Sequence, residues 1–191
     1  MVTWQEGANC FVEALADKSS VPGGGSAAAL NAAMGAALTL MAIGVTIKRK
    51  ATPQADKDFL TPYVAKIENY KNDFKNLTAE DAAAYLEVIT LKKQANIDEK
   101  KLAKAQIRAA EIPLITAQKA QELLKIIEEI KGKIAKIIVS DILCAQVLLI
   151  AALKCCGENI KANLPYVTDE NLKSKLDKSC KEIDNLCRQK L

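Results

Sequence analysis

The stretch PGGGSAAALNAAMGAALTLMAIGVTI, Pro22 to Ile47, carries no charge and is dominated by alanine. Alanine is the strongest helix former and the smallest residue that favours a helix. A helix with such small sides, containing Gly35 and Gly44, lets neighbouring backbones approach closely and belongs at the centre of a bundle. Gly23-Gly24-Gly25-Ser26 stands just before it. The first N–H groups of a helix have no intrahelical acceptor and lie at the positive end of its dipole. That turn can therefore receive an anion or a polar ligand atom. A plainer reading has the glycines shaping a tight turn and Ser26 capping the helix.

A membrane span needs about 20 predominantly apolar residues. Ser19 to Ile47 has the length, but it is mostly Ala and Gly, with Asn31, Thr39 and Thr46 inside it. It lacks the Leu, Ile and Phe density that drives insertion. No basic segment with a short apolar core opens the sequence as a secretory leader would. The expectation is a soluble cytoplasmic protein with one deeply buried helix and no membrane partner.

A length of 191 residues suits one domain, 1–191. Half the residues are hydrophobic and only 4% aromatic, which with few prolines argues for an all-α fold. The net charge of +4 is spread along the chain among Asp and Glu, so no stripe suited to nucleic acid forms. Cys10, Cys144, Cys155, Cys156, Cys180 and Cys187 show no metal-ligand spacing, and the chain contains no histidine. No metal site and no disulfides are expected. Acid–base chemistry near neutral pH must then fall to Asp, Glu, Lys, Tyr, Cys or the substrate.

Periodicity predicts a first helix over Thr3–Asp17, its apolar face made by Trp4, Ala8, Phe11, Val12 and Leu15. Ser19-Ser20-Val21-Pro22 breaks it, and the central helix ends near Lys48-Arg49-Lys50. Thr52 as N-cap and Pro53 at the first position restart a helix, which Pro62 should kink or begin anew. Val64, Ile67, Phe74 and Leu77 form its stripe. Thr78-Ala79-Glu80-Asp81 resembles a capping box opening a further helix, AAAYLEVITLKK. After a break at Ala95–Asp98, the longest helix is expected to reach Ile130, kinked at Pro113 and stopped by Gly132. Ile137–Cys156 is apolar and helical up to Gly157, and Asn159–Val167 is a connector. Thr168-Asp169 then caps a last helix with Leu172, Leu176, Cys180, Ile183 and Leu186/Cys187 inward. The architecture predicted is an up-and-down bundle of long helices.

Two carboxylates draw attention. Asp141 sits among Ile137, Ile138, Val139, Ile142 and Leu143, where an unpartnered charge is costly unless functional. The alternative is that Ser140-Asp141 caps a helix starting at Ile142. Asp81 is either a helix-start charge or a carboxylate aimed into a cleft. Asn159 and Asn163 read as turn formers, or as hydrogen-bonding groups for a heterocycle.

In chain order, FVEALADKSSVPGGGSAAAL, EDAAAYLEVI, AAEIPLITAQKA, VSD and NIKANL together resemble the cyclodeaminase/cyclohydrolase family of folate one-carbon enzymes. The likeness runs along nearly the whole chain, PGGGS before an Ala-rich helix being its most specific part. The resemblance implies an all-helical homodimer with a tetrahydrofolate derivative in a groove at or near the subunit interface, and no other cofactor. It places Pro22, Gly23, Gly24, Gly25, Ser26, Asp81, Ser140, Asp141, Asn159 and Asn163 around that groove. It also shows departures. Gln94-Ala95-Asn96 replaces a common Leu-Pro-Lys, Ile137 and Ile138 stand where an Asn is frequent, and Gly44-Val45-Thr46-Ile47 replaces an Asn-Leu-Thr.

The chemistry so implied takes place at the carbon bridging N5 and N10 of tetrahydrofolate. Hydrolysis of 5,10-methenyltetrahydrofolate to 10-formyltetrahydrofolate is the first expectation. The alternative is cyclisation of 5-formiminotetrahydrofolate with loss of ammonia. Both need proton transfers without a metal, for which Asp141 is expected as principal acid/base and Asp81 as its orienting or pterin-binding partner. A non-catalytic folate-binding or scaffolding bundle is the alternative from another class.

Overall fold

The computed structural model describes residues 2–190, and among these there is no β-strand. Six α-helices follow one another: α1 (Trp4–Ala16), α2 (Gly24–Lys48), α3 (Gln54–Lys92), α4 (Glu99–Ile130), α5 (Val139–Asn163) and α6 (Glu170–Lys190). Short 3-10 turns join α4 to α5 and α5 to α6. Helices α2 to α5 form the up-and-down bundle expected from the sequence, and α6 lies along α5.

Helix α2 is its central member. Ala28, Ala29, Ala32, Ala36 and Ala42 have no exposed surface, and α2 packs on both α3 and α5. The close approach is sharpest at Gly35, where an added Cβ would lie 2.9 Å from Leu149 Cγ and 3.1 Å from the Ala145 carbonyl. Gly44 faces open space, so only one of the two interior glycines serves packing. The buried hydroxyls of Thr39 and Thr46 donate to the Gly35 and Ala42 carbonyls four residues back, which lets polar residues sit inside without unmet hydrogen bonds.

Helices α3 and α4 run antiparallel, joined by Lys119–Asp73 (2.7 Å) and by Tyr63 and Tyr70 hydroxyls donating to Glu129 and Glu122. Burial, reinforced by Glu122, pushes the Tyr70 phenol up to about 12. Asp184 of α6 receives Lys154 and Lys161 of α5 at 2.7 and 3.0 Å. These contacts hold its carboxyl down at about 2. Helix α6 faces inward as predicted through Leu176, Cys180, Ile183 and Cys187, and Asp169 caps it by accepting from the Asn171 and Leu172 amides.

Several boundaries differ from the sequence reading. α3 runs unbroken through Pro62 and through Thr78–Asp81 and, not α4, is the longest helix. The Thr78 hydroxyl donates back to the Phe74 carbonyl instead of capping anything. Thr52 is not an N-cap either: its hydroxyl donates to the Thr46 carbonyl. Gly157 does not end α5, which continues to Asn163. Gly157 instead lies against Ile183 of α6. Helix α1 opens with a capping box that the sequence reading did not single out, Thr3 with Glu6. The apolar face expected there is largely uncovered: Trp4 is 81% exposed, Val12 and Leu15 are exposed, Phe11 is only half-buried, and no residue of α1 is fully buried.

Gly24–Lys48 and Lys136–Tyr166 are long and apolar enough to cross a membrane by length and composition. In this fold their inward faces supply much of the bundle core.

Candidate functional site

Helix α2 begins earlier than its glycines suggested. Gly23 is the N-cap, and Gly24, Gly25 and Ser26 form the first turn, so Ser26 caps nothing. Its hydroxyl instead donates to Asp81 Oδ2 of α3 at 2.9 Å, across the sequence distance that the α2–α3 hairpin closes. The nearby Ser26 amide also favours the ionised form of this carboxylate. The positive helix end expected to receive an external anion is thus occupied by the protein's own Asp81.

Gly25 makes this possible. A Cβ there would overlap the Asp81 carboxylate, so no residue with a side chain fits without moving it. Two effects then act on Asp81 in opposite senses. Burial raises its pKa above the ordinary carboxylate value, while the Ser26 hydroxyl and amide lower it, and burial prevails.

Asn159 and Asn163 come one helical turn apart on α5, hence on one face. Asn159 lies beside Gly24 and donates from Nδ2 to the Cys155 carbonyl at 2.8 Å. Asn163 donates from Nδ2 to the Ala109 carbonyl of α4 at 3.1 Å. That carbonyl is free because Pro113, four residues on within α4, has no N–H to return to it. With both amide nitrogens engaged by backbone, both side-chain carbonyl oxygens are left to accept from a ligand.

These groups line one cleft of about 300 Å³, bounded by Ser20, Gly23, Gly24, Gly25, Asp81, Tyr85, Asn159 and Asn163, with Val21, Ala109 and Ala162. Pro22, expected among its residues, is not in the wall itself but stands between two residues that are, Val21 and Gly23, and is joined to Val21 by a cis bond. Asp81 is the only carboxylate among the described residues of the wall.

Ser140 and Asp141 are not part of it. They occupy the first turn of α5, whereas Asn159 lies about 27 Å further along the same helix at ~1.5 Å per residue. The Ser140 hydroxyl donates to Asp141 Oδ2 at 3.4 Å, at the end of the bundle opposite the cleft. The grouping of Asp141 with Asp81 is corrected accordingly, and so is the apolar setting inferred for it. Ser140 is exposed and Asp141 half-buried in that turn.

The sequence reading missed Tyr85, which stands one turn beyond Asp81 on α3 and lines the cleft. Its signal was there in EDAAAYLEVI: Asp and Tyr at i and i+4 share a helix face once α3 is not broken at Thr78.

The chain is similar to known proteins along nearly its whole length. Residues 8–182 match the formiminotransferase-cyclodeaminase family. The chain is 28% identical over 183 residues to the methenyltetrahydrofolate cyclohydrolase of Methylorubrum extorquens, covering 92% of this chain and 86% of that one. The crystal structure of formiminotetrahydrofolate cyclodeaminase from Thermotoga maritima superposes with a TM-score of 0.84 at 23% identity, over 99% of this chain and 93% of that one. That last likeness is one of fold.

Proposed function

Because the chain belongs to the formiminotransferase-cyclodeaminase family, we propose that it acts on a tetrahydrofolate derivative in the α2–α3–α5 cleft, hydrolysing 5,10-methenyltetrahydrofolate to 10-formyltetrahydrofolate. One observation carries the reading: a single carboxylate, Asp81, partly desolvated and fixed by Ser26 against a helix start, beside two asparagine acceptors.

The bridging carbon of the substrate is an electrophilic amidinium. Water adds to it while Asp81 accepts the water's proton, giving a tetrahedral carbinolamine. The bond from this carbon to N5 then breaks as Asp81 returns its proton to N5. The remaining hydroxyl loses its proton to solvent, and a formyl group stays on N10. Net, one water is consumed and one proton released. A carboxylate whose pKa is raised toward the working pH is suited to both transfers. The carbonyl oxygens of Asn159 and Asn163 would accept from the N–H groups of the pterin ring, fixing its orientation.

The family's own description favours a second reading, cyclisation of 5-formiminotetrahydrofolate with loss of ammonia. There N10 attacks the formimino carbon and Asp81 would protonate the departing amine. Absorbance distinguishes the two. Protein-accelerated loss of the methenyl chromophore supports hydrolysis, and its appearance from the formimino compound supports deamination. Neither change, with tetrahydrofolate still bound, would leave a binding homologue.

We also assign the uncovered face of α2 and α5 to a second copy of this chain. Met34, Met41, Leu143 and Val147 are 41–59% exposed there, on helices whose outer stripe has no charge between Ala27 and Met41. Contiguous apolar surface of this kind marks an interaction site. Light scattering should give twice the monomer mass for wild type and the monomer mass for Met41→Lys; a monomeric wild type would refute the assignment.

A further inference from the structure

The end of the bundle opposite the cleft holds a separate hollow of about 420 Å³. Two connections build most of its wall: the turn between α2 and α3, with Arg49 and Pro53, and the 3-10 segment between α4 and α5, with Lys133, Lys136 and Ile137. Thr46, buried near the end of α2, ties the two together. Its hydroxyl accepts from the Ala135 amide at 3.1 Å, and its carbonyl accepts from the Thr52 hydroxyl at 2.7 Å. Asp56 of α3 adds a further tie, pairing with Lys133 at 2.8 Å. Arg49 lies about 35 Å from Ser26 along α2 at ~1.5 Å per residue, so no part of this hollow belongs to the cleft.

The wall carries three cations, Arg49, Lys133 and Lys136, against one carboxylate among the described residues, Asp56. Asp56 answers Lys133. Arg49 and Lys136 have no carboxylate partner among the described residues, and Arg49 is partly buried. A guanidinium drawn out of water without an acceptor is costly, and it keeps its fork of donors for a bidentate oxyanion. A concave wall of one sign also concentrates anions. Two unanswered positive charges match a phosphate monoester, which carries about −1.5 to −2 at pH 7; a single carboxylate would answer only one of them. The remaining wall is apolar, with Pro53, Ile134 and Ile137, the last 63% exposed. The volume lies within the roughly 300–1,000 Å³ usual for small-molecule sites, more than a bare phosphate ion fills.

We propose that this hollow is a second ligand site, for the phosphate monoester of a small organic molecule. Arg49 and Lys136 hold the phosphoryl oxygens, and Pro53 and Ile137 receive the organic body. The site stands independently of the folate reading of the cleft.

The test is calorimetry on the full-length protein in a phosphate-free buffer with three probes. Phenyl phosphate has both parts of the ligand, inorganic phosphate lacks the organic body, and benzoate keeps the ring with a single charge. Wild type should bind phenyl phosphate about 10-fold more tightly than either of the others, the scale of one good contact. Arg49→Ala should weaken phenyl phosphate about 10- to 100-fold. Lys136→Ala, at an exposed position, should also weaken it while leaving the melting temperature unchanged. Ile137→Ser should weaken phenyl phosphate and spare inorganic phosphate. Benzoate binding as tightly as phenyl phosphate would overturn the phosphate assignment, and inorganic phosphate doing so would reduce the site to an adventitious ion only. No binding of phenyl phosphate at millimolar concentration, or undiminished binding in both Arg49→Ala and Lys136→Ala, would overturn the site altogether.

Discussion

Replacing Asp81 by Asn should separate activity from stability. The side chains are nearly isosteric, so the gap beside Gly25 stays filled and the Ser26 hydroxyl keeps an acceptor. What disappears is the one carboxylate in the cleft wall. General acid–base catalysis contributes about 10²–10⁴-fold, or about 3–5.5 kcal/mol of barrier, and with no second carboxylate there, the whole loss should fall on turnover. Stability should move the other way. Burial raises the Asp81 pKa in the fold, and a group so raised stabilises the fold below its unfolded-state pKa. That contribution is lost as pH rises through the folded value. At neutral pH the ionised carboxylate is therefore a liability that Asn removes. The assay is decay of 5,10-methenyltetrahydrofolate absorbance, with thermal melts at pH 4 and pH 7. Asp81→Asn should turn over at least 100-fold more slowly while melting at or above wild type at pH 7. Asp141→Asn, at the far end of α5, should turn over normally. Turnover of Asp81→Asn within threefold of wild type, or its abolition in Asp141→Asn, would refute the placing of the chemistry.

Ser26→Ala removes a hydrogen bond that lowers the Asp81 pKa; the acid limb of the pH–rate profile should move to higher pH, and an unmoved limb would show that Asp81 does not set it. Pro113→Ala returns an N–H to α4, where it competes with Asn163 for the Ala109 carbonyl. It should raise KM several-fold without lowering the melting temperature, since Ala is up to about 3 kcal/mol the better helix residue; an unchanged KM would free Asn163 from any role in binding.

The order and the inward faces of the later helices were legible because they are local. Leu176, Cys180, Ile183 and Cys187 repeat at helical spacing, and Asp169 is a capping residue in the expected place. What was not legible depended on partners distant in sequence. Thr78-Ala79-Glu80-Asp81 reads as a helix start only while Asp81 has no destination, and its destination is a hydroxyl contributed by Ser26. Asp141 misled for a related reason. Its adjacent residues are apolar, but adjacent residues point around a helix in different directions, so they do not report its surroundings. The residues one turn away do, and of these Ile137 and Cys144 are exposed.

Pro113 shows how a site can be prepared by a residue that never touches it. A proline inside a helix ordinarily destabilises by removing one hydrogen bond, and the sequence reading treated it as a kink. In the fold the lost bond becomes the point of attachment for another helix. The unclaimed Ala109 carbonyl receives Asn163 of α5 and fixes that amide in the cleft wall. Two separate stretches of resemblance, AAEIPLITAQKA and NIKANL, meet in this one contact. Gly25 performs the matching service on the other wall, giving up a side chain so that Asp81 can reach the start of α2. Both walls are thus built by omission, a missing N–H on α4 and a missing Cβ on α2. Substitutions that restore ordinary helix chemistry at either position should therefore harm binding or turnover more than folding.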